Sequence, residues 1–165
     1  MFRPALVIAF AAMAVALAFP QQKGAATKPP KADLPYLLEA QKLIPTDATP
    51  ATRSTTKEDE RVTVDGATSS ARTPVPEPIF VFSAGQIKAT DFELIHFEVA
   101  SGRRQWTKGK QERPNNDEEP EEILRLTLRP IAEGIVRIEA AEMLNPGEYA
   151  LIPRGKDTAF CFTVF

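Results

Sequence analysis

After residue 78, apolar and polar positions alternate with a period of two along much of the chain, as in strands with one face turned inward. Leu124-Arg125-Leu126-Thr127-Leu128-Arg129 sets three leucines on one face and Arg, Thr, Arg on the other. Pro130, directly behind, cannot donate to a ladder, which predicts an edge strand or a bulge there. Val136-Arg137-Ile138-Glu139 alternates too, although Glu139 to Met143 also fits a helical turn. Ile79-Phe80-Val81-Phe82, Phe92 to Val99, Glu148 to Ile152 and Ala159 to Phe165 are runs of strand formers. Ser101-Gly102, Asn145-Pro146-Gly147 and Pro153-Arg154-Gly155 between them are turn signals.

Six or seven short strands in about 100 residues, with no alternation of strand and helix, predict a mainly β fold: a small antiparallel β-sandwich or open barrel. Its expected core is Phe80, Phe82, Phe92, Leu94, Phe97, Leu126, Tyr149, Phe160 and Phe162.

Upstream the pattern changes. Leu34, Leu37, Leu38 and Ile44 recur at helical spacing behind Asp33, a capping residue, and Pro45 would stop the run, so a short helix is expected near 34–44. From Thr46 to Pro78 the chain is dense in Thr, Ser, Ala and Pro, a linker composition ending on Pro74, Pro76 and Pro78. Arg61-Val62-Thr63-Val64 before Asp65-Gly66 interrupts it as a candidate first strand. The expected organisation is therefore a flexible segment over 19–60 containing the helix and a single β-domain over 61–165, with 61–78 as the border zone between them.

The first 18 residues read as a secretory signal: Arg3, an apolar stretch from Ala5 to Leu17, and the small-x-small end Ala16-Leu17-Ala18. The run is shorter than the roughly 20 apolar residues a membrane span needs, so cleavage after Ala18 is expected, leaving no transmembrane span. The expected location is secreted or periplasmic.

Composition narrows the function classes. Twenty Lys+Arg against 22 Asp+Glu give a net charge of −2, which argues against a nucleic-acid partner recruited by net charge. One His and one Cys rule out a disulfide framework and any zinc site built from four such ligands, and no cofactor is predicted. Phosphate-binding glycine loops and Gly-x-Ser-x-Gly are absent, which lowers the expectation of an enzyme.

The ending Asn145-Pro146-Gly147-Glu148-Tyr149-Ala150-Leu151, followed by Phe160-Cys161-Phe162-Thr163-Val164, resembles the close of small exported bacterial β-domains. Those domains carry a Pro-Gly-Glu-Tyr-Ala-Leu stretch before a last Phe-x-Phe-x-Val strand. The resemblance implies a β fold and an exported location and brings no functional residues with it.

Three places carry candidate chemistry. His96, inside a strand between Ile95 and Phe97, has no local partner that would make it a general base, so a structural role is the first expectation. Cys161 points to the face opposite Phe160 and Phe162; it reads as a buried thiol, with an intermolecular disulfide or a reactive nucleophile as alternatives. Arg103, Arg104, Lys108, Lys110 and Arg113 surround Trp106 and precede an acidic run from Asp117 to Glu122. This reads as a solvated hairpin loop, with an exposed Trp106 and a partner-binding or anion-binding role as its functional alternative.

The functional expectation is an exported, non-enzymatic β-domain acting as an interaction or structural module, with a protein partner in the envelope or outside the cell. A small secreted hydrolase or thiol enzyme using His96 or Cys161 is the first alternative, and an anion or glycan binder through Arg103 to Arg113 is the second.

Overall fold

A computed structural model describes residues 28–57, 59–109 and 123–165. The expected signal segment and most of the following spacer lie outside them. The described strands are β1 (Tyr36–Glu39), β2 (Lys42–Pro45), β3 (Asp47–Thr55), β4 (Asp59–Asp65), β5 (Arg72–Thr73), β6 (Ile79–Ser83), β7 (Phe92–Ala100), β8 (Arg103–Gly109), β9 (Leu126–Ala132), β10 (Ile135–Ala140), β11 (Gly147–Pro153) and β12 (Thr158–Val164). The only helical element among the described residues is a 3-10 turn, Ala89–Asp91. The fold is mainly β, as the alternation predicts.

Two sheets form. One is an open sheet in the order β2-β1-β6-β10-β9, antiparallel throughout. The other runs β11-β7-β8-β4-β3-β12, and β12 pairs back onto β11, which closes six strands into a barrel; β5 adds to β12 in parallel. Alternation along the shared wall then builds two cores. Tyr149, Leu151, Phe160, Phe162, Phe92 and Leu94 point out of the barrel against Leu37, Phe80, Phe82 and Ile138 of the open sheet. Their neighbours Ala150, Ile152, Ala159, Cys161, Ile95 and Phe97 point into the barrel and meet Ala51, Val62, Val64 and Trp106. Strands covered on both faces read as unbroken apolar runs, which explains the last two stretches of the sequence. The aromatic layer between the sheets packs edge to face, with Phe80–Phe162 at 4.9 Å and Phe82–Phe92 at 5.0 Å between ring centres. All nine expected core residues take part, Leu126 as a half-buried one at the margin.

The helix expected near 34–44 does not form. That stretch is the β1–β2 hairpin, with Leu37 opposite Ile44 and a two-residue turn at Ala40 (φ 42°) and Gln41 (φ 69°). Two successive positive φ angles give the turn whose twist suits a tight hairpin. Leu37 goes into the core, and tertiary burial overrides a spacing that fits either structure.

The Thr/Pro-rich stretch is also corrected. Residues 47–55, 59–65 and 72–73 are strands β3, β4 and β5, and β3 and β4 are barrel staves. Threonine is a strand former as well as a linker residue, and β3 needs only Ala51 as a fully buried apolar side chain because it faces the narrow barrel interior. The strand over 61–64 is present, as β4 rather than as a first strand.

The edges of the open sheet are guarded. β2 is four residues long and carries Lys42 and Pro45, and β9 carries Pro130 beside a register shift at Ile135/Val136. Pro130 thus sits at both an edge and a bulge. Among the described residues no helix is long and apolar enough to cross a membrane. The uncovered outer face of β3, β4 and β8 carries Thr52, Ser54, Arg61, Thr63, Arg103 and Gln105, the reverse of the apolar exterior a lipid-facing barrel requires.

Candidate functional site

Strand β8 decides the fate of the basic cluster. It is an internal stave rather than a hairpin loop, so its side chains alternate between solvent and barrel interior. Arg103 stays outside, 59% exposed, in an ion pair with Asp65 at 3.0 Å. Lys108 is exposed as well. Arg104 and Trp106 turn inward and are buried at 3% and 8% exposure. Trp106 is therefore a core aromatic, a correction to its reading as an exposed loop residue. Lys110, Arg113 and the acidic run lie outside the described residues.

Arg104 closes one end of the barrel. Its Nε donates to Gly66 O (3.0 Å), Nη2 to Asp65 O (3.1 Å) and Nη1 to Ser69 Oγ (2.5 Å), and Nη1 lies 3.7 Å from Glu148 Oε2. Glu148, also buried, accepts from Thr163 Oγ1 (2.7 Å), Thr68 Oγ1 (2.9 Å) and the Ser69 amide (3.1 Å). A buried ion pair is tolerable when its remaining donors and acceptors are satisfied, and here the Asp65–Ala71 segment supplies most of them. No sequence signal pairs residues 104 and 148, which come together only through closure of the barrel.

Cys161 lies beside this network, fully inside the barrel. Desolvation pushes its thiol up to about 11; Asp47 and Glu148 push the same way, against Arg104 and a hydrogen bond with Thr49. A thiol held that high is a poor nucleophile near neutral pH. Its depth inside the barrel equally blocks a disulfide between folded copies.

His96 is on the opposite face of the same wall. Its ring stacks on Tyr149 at 4.6 Å, Tyr149 stacks on Phe162 at 5.6 Å, and the Tyr149 hydroxyl donates to Asn145 O at 2.8 Å. Partial burial lowers the His96 pKa, against the raising effect of Glu98. The barrel wall separates His96 from Cys161, so the two do not form a base–nucleophile pair. Among the described residues no group of three or more His, Cys, Asp or Glu side chains is placed to hold a metal ion.

Five large apolar side chains are exposed among the described residues; Val99 lies on β7 and Ile131 on β9, and the other three gather at one end of the sandwich. Residues 74–78 and 141–146 are crossovers between the sheets at this end, joined by the Leu144 amide donating to Pro76 O at 2.7 Å. The Phe165 amide reaches Thr73 O at 3.1 Å, which brings the last residue of the chain to the same end. Val75, Met143 and Phe165 are 43%, 71% and 57% exposed there, amid Pro74, Pro76 and Pro146, with the Arg72 guanidinium 4.7 Å over the Phe165 ring. Sequence reasoning misses this end because its members are scattered over 90 residues: Val75 in a linker-like stretch, Met143 in a possible helical turn and Phe165 at the close of a strand run.

No protein-family model, no curated protein and no solved structure matches the chain.

Proposed function

We propose that the protein is an exported, non-enzymatic β-domain that works as an interaction or structural module outside the cytoplasm, and that a protein partner meets it at the proline-rich end of the sandwich. The observation that carries this reading is the grouping of Val75, Met143 and Phe165 at that end, while the edges of the open sheet are blunted and the remaining open barrel face is polar. Apolar side chains left exposed together are where water is most favourably displaced by another surface. The hydrolase or thiol-enzyme alternative has less to stand on: Cys161 and the Arg104–Glu148 pair are engaged inside the barrel and His96 in an aromatic stack. The anion-binding alternative is weakened in the same way, since Arg104 and Trp106 face away from solvent.

The test is co-purification after mild crosslinking from cells that express the chain, with the N-terminus of the mature protein read by mass spectrometry. An N-terminus at Phe19 and a discrete protein partner lost on Val75→Asp with Met143→Asp are expected. A partner retained by that fold-competent double variant would overturn the assignment of the surface; an uncleaved cytoplasmic chain would overturn export.

A further inference from the structure

Between Val64 and Ala71 the chain crosses the mouth of the barrel without burying a single apolar side chain; Gly66, Ala67, Thr68 and Ser70 are exposed and only Ser69 is covered. What holds this strap is polar and comes from four staves. Arg104 of β8 takes its carbonyls at 65 and 66 and the Ser69 hydroxyl, and Glu148 of β11 takes the Ser69 amide and the Thr68 hydroxyl. Asp47 of β3 accepts from both the Ser70 amide and hydroxyl at 2.5 Å, and the Thr163 amide of β12 donates to Ala71 O at 2.8 Å. Three of the groups that act on Cys161, Arg104, Asp47 and Glu148, are the same ones that hold the strap.

We infer that Gly66–Ser70 is a strap that opens as a unit ahead of the barrel, hinged on the paired Asp65 and the buried Ala71, that the buried Arg104–Glu148 pair is its latch, and that its opening is the route by which solvent reaches Cys161. A segment anchored without apolar burial contributes little to the cooperative core and so can detach below the free energy of global unfolding. The latch is all-or-none in character. Removing one member of a buried pair leaves the other charge uncompensated, so the loss exceeds that of one hydrogen bond. In Glu148→Gln the strap also loses a carboxylate acceptor of the Thr68 hydroxyl and the Ser69 amide. The inference does not depend on which partner the sandwich end meets.

The experiment is native-state hydrogen exchange by mass spectrometry, run beside alkylation of Cys161. Wild-type amides 66–70 are expected to exchange well ahead of those in β6 and β10. Glu148→Gln is expected to speed strap exchange and Cys161 alkylation together by about tenfold or more, the loss of at least one charge-assisted hydrogen bond. Glu60→Gln, which breaks the Arg53–Glu60 pair (2.6 Å) at the other end of β4, should leave both unchanged. Should Glu148→Gln fail to fold, Asp47→Ala, which frees only the Ser70 side of the strap, is read in the same way. Strap amides that exchange in step with β6 and β10, or Cys161 alkylation that stays tied to global unfolding in these variants, would overturn the inference.

Discussion

The imidazole of His96 occupies the space a side chain would need at Gly147: a Cβ there would meet His96 Nε2 at 2.5 Å. Gly147 opens β11 with no positive φ, so its backbone would accept alanine; the obstacle is the ring, which is itself held by stacking on Tyr149 at 4.6 Å. Gly147→Ala should therefore cost about 1 kcal/mol, the worth of a displaced aromatic pair. Combined with His96→Ala it should cost less than the two changes summed. Urea midpoints of the four proteins in this cycle check it, and strict additivity would show that the ring does not fill the site.

Asp33 acts as a clamp between the segment before β1 and the loop after β6. Its carboxylate accepts the backbone N–H groups of Gly85, Gln86 and Ile87, each at 2.9 Å. Burial alone would raise its pKa, but the three donors and Lys156 together hold it below the usual carboxylate value. A carboxylate depressed by folding stabilises above its unfolded pKa, near 3.9, and that contribution is lost as pH falls through the folded value. Asp33→Asn lacks the charge but tolerates the left-handed backbone at this position (φ 60°). Its stability deficit against wild type should be full at neutral pH and shrink below about pH 4. A deficit that stays constant down to about pH 2 would remove the charge from the account.

Trp106 is the chain's single tryptophan, which makes its environment directly readable. Buried among Val62, Val64 and Phe97, it should emit at short wavelength in the native protein, resist acrylamide quenching and shift to the red on unfolding. Native emission matching that of the denatured chain would place the indole in solvent and contradict the barrel interior.

Cys161, with its thiol pushed up to about 11 inside the barrel, should react with iodoacetamide far more slowly in the native state than in denaturant. Non-reducing gels of the folded protein should show no disulfide-linked dimer. A native rate equal to the denatured one would mean that the barrel is open at this end.

Much of this architecture is legible in the sequence, and the missing parts have physical causes. From Ile79 onward the strands other than β8 follow from alternation and turn residues, and Pro130 correctly marks an edge and a bulge. The β1–β2 hairpin is hidden because Ala40 and Gln41 take a turn that glycine or asparagine usually announces. β3 is hidden because its inward positions include Thr49 and Arg53, polar residues that break the apolar alternation; Arg53 pairs with Glu60 across the β3–β4 hairpin and reaches Lys156 O far along the chain. The period-two placement of Arg104 and Trp106 was visible, but charge density around the indole suggested a loop. Their common inward face, and the meeting of Arg104 with Glu148, depend on barrel closure, a non-local event that no local pattern encodes.

The central claim is that the proline-rich end is the working surface, and site-specific photocrosslinking tests it most directly. A photoreactive phenylalanine analogue placed at Phe165 or Met143, both exposed, is compared in expressing cells with one at Thr63 on the polar barrel face. The account predicts a discrete adduct to one protein from positions 165 and 143 and none from 63. Adducts from position 63 alone, or none from 165 and 143 while the protein is folded and exported, would contradict it.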